Sequence, residues 1–110
     1  MSQDHVIDRL FATIVERKNA DPQTSYTATL LHQGVERCAK KFGEDSVEVV
    51  LSAASGNSQA VIAESGDVLY HLLVLWAACG VKPGEVYAAL AAREGRSGLD
   101  EKASRKKKLI

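Results

Sequence analysis

Several things are scarce in this chain of 110 residues, and each scarcity removes a class of protein. Only two prolines occur and aromatic residues make up 5%, while alanine and leucine abound, which disfavours a sheet protein and favours helix. The two cysteines, Cys38 and Cys79, sit in no C-x-x-C or Cys/His spacing. Zinc and a disulfide framework therefore drop out, and two free thiols in a reducing, cytoplasmic setting are expected. Fourteen basic and fourteen acidic side chains cancel, which argues against a nucleic-acid binder of globally basic character. No charged-then-apolar leader opens the sequence. The most apolar uncharged run, Val68 to Val81, falls short of the roughly 18–20 residues of a membrane span, so no membrane association is expected. No internal repeat and no strand pair stand out. What remains, at 45% apolar and 25% charged, is the balance of an ordinary globular protein of a length that fits one domain.

The periodicity predicts an all-α fold. A first helix is expected from about Asp4 to Asn19, with Val6, Leu10, Ile14 and Val15 on its inner stripe, closed by the Asp21-Pro22 turn. Ser25 can cap a short helix over Tyr26–Gln33, and Gly34 interrupts. A long helix from about Val35 to Ser55 ends at the Gly56-Asn57 turn pair. Ser58 can cap a second long helix that runs to about Cys79 and stops at Gly80. Pro83 at a first helical position, with Glu85 nearby, starts a last helix to about Arg93. The two long helices should form an antiparallel hairpin with the shorter helices flanking it.

Charge is unevenly spread. Residues 1–92 carry 7 basic and 11 acidic side chains, and residues 93–110 carry 7 basic and 3 acidic. The chain thus reads as one all-α domain over residues 1–95 followed by a basic C-terminal tail over 96–110, solvated or used to hold something anionic.

The long helices carry the chemistry. On the first, Val35, Cys38, Ala39, Phe42, Val49, Val50 and Ala53 form an apolar stripe, and beside it Glu44, Asp45 and Glu48 share a face. On the second, Glu64, Asp67 and His71 make one stripe on a helix otherwise apolar on nearly every side. Such a helix is a buried helix, and in so short a chain its burial calls for a second copy of the protein, so a homodimer is expected. Carboxylates packed there repel one another, and burying one unpaired costs several kcal/mol. Among lysines only Lys41, one turn before Asp45, is well placed to neutralise them. Five carboxylates on two facing helices, with no thiolate and no paired histidine, match Mg²⁺ or Mn²⁺ rather than zinc. The absence of Glu-x-x-His pairs weakens a di-iron reading. His71, on an apolar helix, reads as a hydrogen-bonded core residue sooner than as a ligand or base. A Mg²⁺ site of this kind suits phosphoanhydride or phosphodiester hydrolysis, since the ion clamps phosphates and lowers the pKa of a bound water. A carboxylate free of the metal can take the water's proton, and the basic residues near the C-terminus can bind the remaining phosphate oxygens.

The segment from Lys41 through Glu44, Asp45 and Glu48, followed by Glu64-Ser-Gly-Asp67, resembles the Glu-x-x-Glu…Glu-x-x-Asp signature of the all-α NTP pyrophosphatase (MazG-like) superfamily. Three further stretches resemble the phosphoribosyl-ATP pyrophosphatase family of histidine biosynthesis. They are the stretch from Arg17 to Thr27, the stretch from Asp67 to Leu75, and Arg93-Glu-Gly-Arg-Ser-Gly98 with Glu101-Lys102. The resemblance covers about Leu10 to Arg105. It implies hydrolysis of 1-(5-phosphoribosyl)-ATP to 1-(5-phosphoribosyl)-AMP and pyrophosphate, the second step of that pathway. It also implies that Glu44, Asp45, Glu48, Glu64 and Asp67 bind Mg²⁺, with Glu44, Glu48, Glu64 and Asp67 as the catalytic set. Lys41, Tyr26, Thr27, Arg93, Arg96 and Ser97 are the candidate substrate contacts. Two positions depart from the family's usual pattern: Asp45 stands where glutamate is usual, favouring a water-mediated metal contact, and Gly66 stands where alanine is usual, at about 1 kcal/mol of helix stability. Two other readings compete: a house-cleaning hydrolase of free nucleoside triphosphates using the same carboxylates, and a non-catalytic helical dimerisation module with a basic, anion-binding tail.

Overall fold

The structure, a computed structural model, describes residues 5–109. The expected first-helix start at Asp4 lies outside the described residues, as do the side chains at 101 and 106–109, which include the Lys106–Lys108 run and Glu101. Six helices follow in order, α1 Val6–Arg17, α2 Tyr26–Gln33, α3 Val35–Ala54, α4 Ser58–Cys79, α5 Pro83–Ala91 and α6 Gly98–Leu109, and the described residues contain no strand.

Local chemistry explains where each helix begins and ends. The Ser25 side chain accepts from the Ala28 N–H at the start of α2, satisfying one of the donors a helix start leaves unpaired. Gly34, at φ 97°, separates α2 from α3 in a conformation that a side chain would strain. Gly56, at φ 77°, turns the chain between α3 and α4. The cap of α4 is Asn57, whose side chain accepts from the Ala60 N–H; the expected cap, Ser58, is already helical. At α5 the Glu85 carboxylate accepts from the Lys82 N–H, half of a capping box ahead of Pro83.

α3 and α4 form the expected hairpin and make by far the most extensive pairing in the molecule, with α1 and α2 packed across it and α5 against α1. The core is small: Ile14, Leu30, Cys38, Leu73 and Val74 are buried, with Leu10, Phe11, Tyr70 and Trp76 packed around them. Several residues of the expected inner stripes lie outside it. Val6, Val15, Val35 and Val50 are exposed, because periodicity marks an apolar face without saying which faces one chain can cover. α4 likewise buries only His71, Leu73 and Val74 along its 22 residues. By length and composition the whole of Ser58–Cys79 is long and apolar enough to cross a membrane, which corrects the reading drawn from the shorter run 68–81. In this fold the helix is one arm of the hairpin.

The other departure is α6. The basic segment expected as a tail is helical, and the Ser97 hydroxyl accepts from the Asp100 N–H at its start. A cap, an acidic first turn and strong helix formers after it act together with the helix dipole. Its described side chains are exposed apart from a half-buried Ser104.

Candidate active site

The register of the hairpin decides which carboxylates meet. The Ser52 hydroxyl of α3 donates to Glu64 Oε1 of α4, and Asp45 Oδ2 of α3 lies against His71 Nδ1 of α4. These two contacts share one antiparallel register, which sets Glu48 abreast of Asp67 and Val68. The five candidate metal ligands are spread along the two arms of the α3–α4 seam, with Asp45 and the Ser52 partner of Glu64 about two turns apart on α3. Among the described residues, no three His, Cys, Asp or Glu side chains are grouped tightly enough to hold an ion as they stand. Glu64 is half-buried, whereas Glu44, Glu48 and Asp67 are exposed. Lys41 reaches across the near end of the seam, with its Nζ 3.9 Å from Asp45 Oδ1 and 4.0 Å from Glu44 Oε1.

His71 is the buried polar residue of the core, 7% exposed, and it joins three helices. Its Nδ1 is 2.9 Å from the carbonyl oxygen of Asp67, one turn earlier on α4. Its Nε2 is 3.1 Å from the Tyr26 hydroxyl at the start of α2. Asp45 Oδ2 adjoins Nδ1 without completing a hydrogen bond, and this buried carboxylate oxygen has no hydrogen-bond partner in the described structure. A buried carboxylate oxygen is costly unless a donor or cation answers it, and within the chain the group adjoining this one is His71 Nδ1. That oxygen, on a seam of hard oxygen donors, fits Mg²⁺ by donor chemistry.

Tyr26 is half-exposed as a residue, but its hydroxyl turns inward onto His71. Its ring stacks on Tyr70 at 6.3 Å and meets His71 edge-on at 5.9 Å. Burial pushes the Tyr26 phenol above its ordinary value, against the opposing pull of Lys41. Thr27 and Tyr70 share a short hydrogen bond between their hydroxyls. Tyr26, Thr27 and Lys41 are thus gathered at one end of the carboxylate seam.

Arg93, Arg96 and Ser97 line a shallow cavity of about 360 Å³ with Leu90, Glu94 and Gly98, between α5 and α6. Sequence reasoning singled out His71 but left it out of the site, and it missed Tyr70 and Ser52. The one available signal was a histidine one turn after Asp67; the partners of these residues lie on other helices.

Residues 7–94 match the family described as Phosphoribosyl-ATP pyrophosphohydrolase. The chain is 54% identical over 101 residues to the phosphoribosyl-ATP pyrophosphatase of Azospirillum brasilense, covering 92% of this chain and 91% of that one. It is 51% identical over 109 residues to the protein of that name from Paramagnetospirillum magneticum, covering 98% and 100%. With the Parvibaculum lavamentivorans protein of the same name it shares 57% identity over 99 residues, covering 90% and 91%.

Proposed function

The chain belongs to the phosphoribosyl-ATP pyrophosphohydrolase family and hydrolyses phosphoribosyl-ATP, a step of histidine biosynthesis; we propose that it does so with Mg²⁺ held by Glu44, Asp45, Glu48, Glu64 and Asp67 along the α3–α4 seam. The observation that supports this reading is the buried Asp45 Oδ2, which has no hydrogen-bond partner and sits on the hairpin arm that also carries Glu44 and Glu48. Bound there, Mg²⁺ supplies phosphate clamping and a more acidic water. The chain's own residues do the rest. Glu44, Glu48, Glu64 and Asp67 form the catalytic set, and one of their carboxylate oxygens takes the proton of the attacking water. Water adds at phosphorus, the phosphoanhydride bond breaks, and pyrophosphate leaves from phosphoribosyl-AMP. Asp45, one methylene shorter than glutamate and already against His71 and Lys41, would hold the ion more easily through a water than directly. Lys41 supplies a cation at the end of the seam, where it can meet a phosphate oxygen.

Tyr26, Thr27, Arg93, Arg96 and Ser97 contact the substrate in this reading. A homodimer is supported by the surface. Val47, Val50, Leu51, Ile62 and Leu69 lie exposed along the hairpin. Two unpaired thiols suit a reducing compartment, the cytoplasm.

The test is Glu48→Gln, which keeps the side chain's size and removes its charge. Turnover of phosphoribosyl-ATP should fall by at least about a hundredfold, with helical content by circular dichroism unchanged. Near wild-type turnover would remove Glu48 from the site and the seam with it.

A further inference from the structure

We propose that Arg37 is a substrate-binding residue that takes the phosphate of the phosphoribosyl group, the monoester that phosphoribosyl-ATP carries at the end away from its triphosphate. The inference rests on the proposed function for its substrate and on the charge pattern of α3 for its place.

Arg37, Lys41, Glu44 and Glu48 follow one another at spacings of four, three and four on α3, so they stand on one face of the helix. The stripe is cationic in its first two members and anionic in its last two. Helix stability does not ask for that order. The helix dipole favours acidic side chains in the first turn and basic ones in the last, and Arg37 lies in the first turn of α3. Lys41 is answered by carboxylates, 4.0 Å from Glu44 and 3.9 Å from Asp45. Arg37 is exposed and, among the described residues, forms no ion pair. Its neighbour Glu36 falls on another face of the helix.

Arg37 lies near the start of α2. Its charge and that of Lys41 both act on the Tyr26 phenol, drawing it down against the effect of burial. Tyr26 opens α2 beside Thr27, and its ring rests against Tyr70 and His71. The stripe therefore extends the group formed by Tyr26, Thr27 and Lys41 on the side away from the carboxylates.

Distance decides which phosphate the guanidinium can take. Arg37 precedes Asp45 by eight residues and Glu48 by eleven, about 12 Å and about 16 Å by the rise of an α-helix. A triphosphate held at the carboxylates would have to leave them to meet it. Phosphoribosyl-ATP has a further phosphate, set off from the other three by a ribose, the adenine and a second ribose. Laid along the stripe, the molecule brings that monoester to Arg37 while its phosphoanhydride stays with Glu48. Such a monoester carries about 1.5 to 2 negative charges at neutral pH, and the guanidinium fork fits two of its oxygens. A free nucleoside triphosphate lacks the group, so the contact selects the biosynthetic substrate.

The test is Arg37→Gln in the full chain, assayed on phosphoribosyl-ATP with Mg²⁺. KM should rise at least about fivefold, as for the loss of a hydrogen bond between charged groups. Turnover at saturation should stay within about twofold of wild type, since the bond is made in the ground state and the transition state alike. Arg37→Lys keeps the charge and loses the fork, and should fall between the two. Inhibition by pyrophosphate, a probe of the triphosphate side, should change less than about twofold. On 1-ribosyl-ATP, the substrate without the monoester, wild type and Arg37→Gln should agree in KM within about twofold, because the group that Arg37 meets is gone. Arg9→Gln removes an exposed arginine of α1 and should leave KM unchanged, which separates a contact from a change in net charge. A rise in KM smaller than about fivefold overturns the inference. So does an equal penalty on pyrophosphate, which would put Arg37 on the triphosphate, or an equal penalty on 1-ribosyl-ATP. The proposed function fails by a different result, wild type that releases no pyrophosphate from phosphoribosyl-ATP.

Discussion

Replacing Ile62 with aspartate should separate the dimer into folded single chains. Ile62 is 67% exposed in one chain, so the substitution removes little from the monomer, within about 0.5 kcal/mol for a surface position. In a dimer closed over the hairpin face it removes much more. Fully burying an isoleucine side chain is worth about 2 kcal/mol, and the exposed two-thirds of it leaves about 1.3 kcal/mol per copy. An interface built on a two-fold axis contains the residue twice, so roughly 2.7 kcal/mol is lost, about a hundredfold in dissociation constant. Two desolvated carboxylates add to that loss. The hairpin register puts Val47 abreast of Leu69, so the substitution falls on a continuous apolar face. Sedimentation equilibrium on both proteins over a range of concentrations reads the effect. Wild type should sediment at twice the 11.9 kDa chain mass, and the variant should dissociate at concentrations where wild type does not. Wild type at one chain mass in the micromolar range, or a variant as dimeric as wild type, would refute the reasoning.

Three further outcomes follow from the same structure. Gly66 lies inside α4, and a Cβ built on it meets nothing within 4 Å. Gly66→Ala should therefore stabilise the fold by about 0.5–1 kcal/mol in urea denaturation, and a loss of stability would mean that the position is covered in the assembly. The Tyr87 hydroxyl donates to Asp8 Oδ1 at 3.0 Å, tying α5 to α1. Desolvation first, and then that hydrogen bond, raise the Tyr87 phenol above 10.0. A raised value in the folded state means that its stabilising effect is complete below the unfolded value and is lost as pH rises through the folded one; Tyr87→Phe should thus lower Tm at neutral pH and make little difference well above pH 10, and an equal effect at both would contradict the tie. Leu73→Ala, in the centre of the core, should cost about 2–5 kcal/mol, and a change under 1 kcal/mol in denaturant unfolding would place the core elsewhere.

The bounds of α2 and α4 could be read almost to the residue because their signals are local. Ser25, Gly34, the Gly56-Asn57 pair and Gly80 each act within a few residues of the helix end that they set. The helical C-terminal segment was not legible, since a run of like charges reads as a solvated tail and the capping role of Ser97 is visible only once the helix is there. Val6, Val15 and Val50 show the limit of periodicity: it locates an apolar stripe but cannot tell a face buried within the chain from one left for a partner. The placing of carboxylates on both arms of the hairpin was legible because residues three and four apart share a helix face and a tight turn forces the two helices together. The network through His71 was not, because Tyr26, Asp45 and Asp67 reach it from three helices, and only the register of the hairpin and the docking of α2 bring them within hydrogen-bond distance.

The account rests above all on a metal-dependent carboxylate seam acting on one substrate. Pyrophosphate release from phosphoribosyl-ATP, measured with Mg²⁺ and with EDTA and with ATP and dITP as controls, addresses it directly. Release that requires Mg²⁺ and is confined to phosphoribosyl-ATP is the result the account predicts. Release that persists undiminished in EDTA would contradict it.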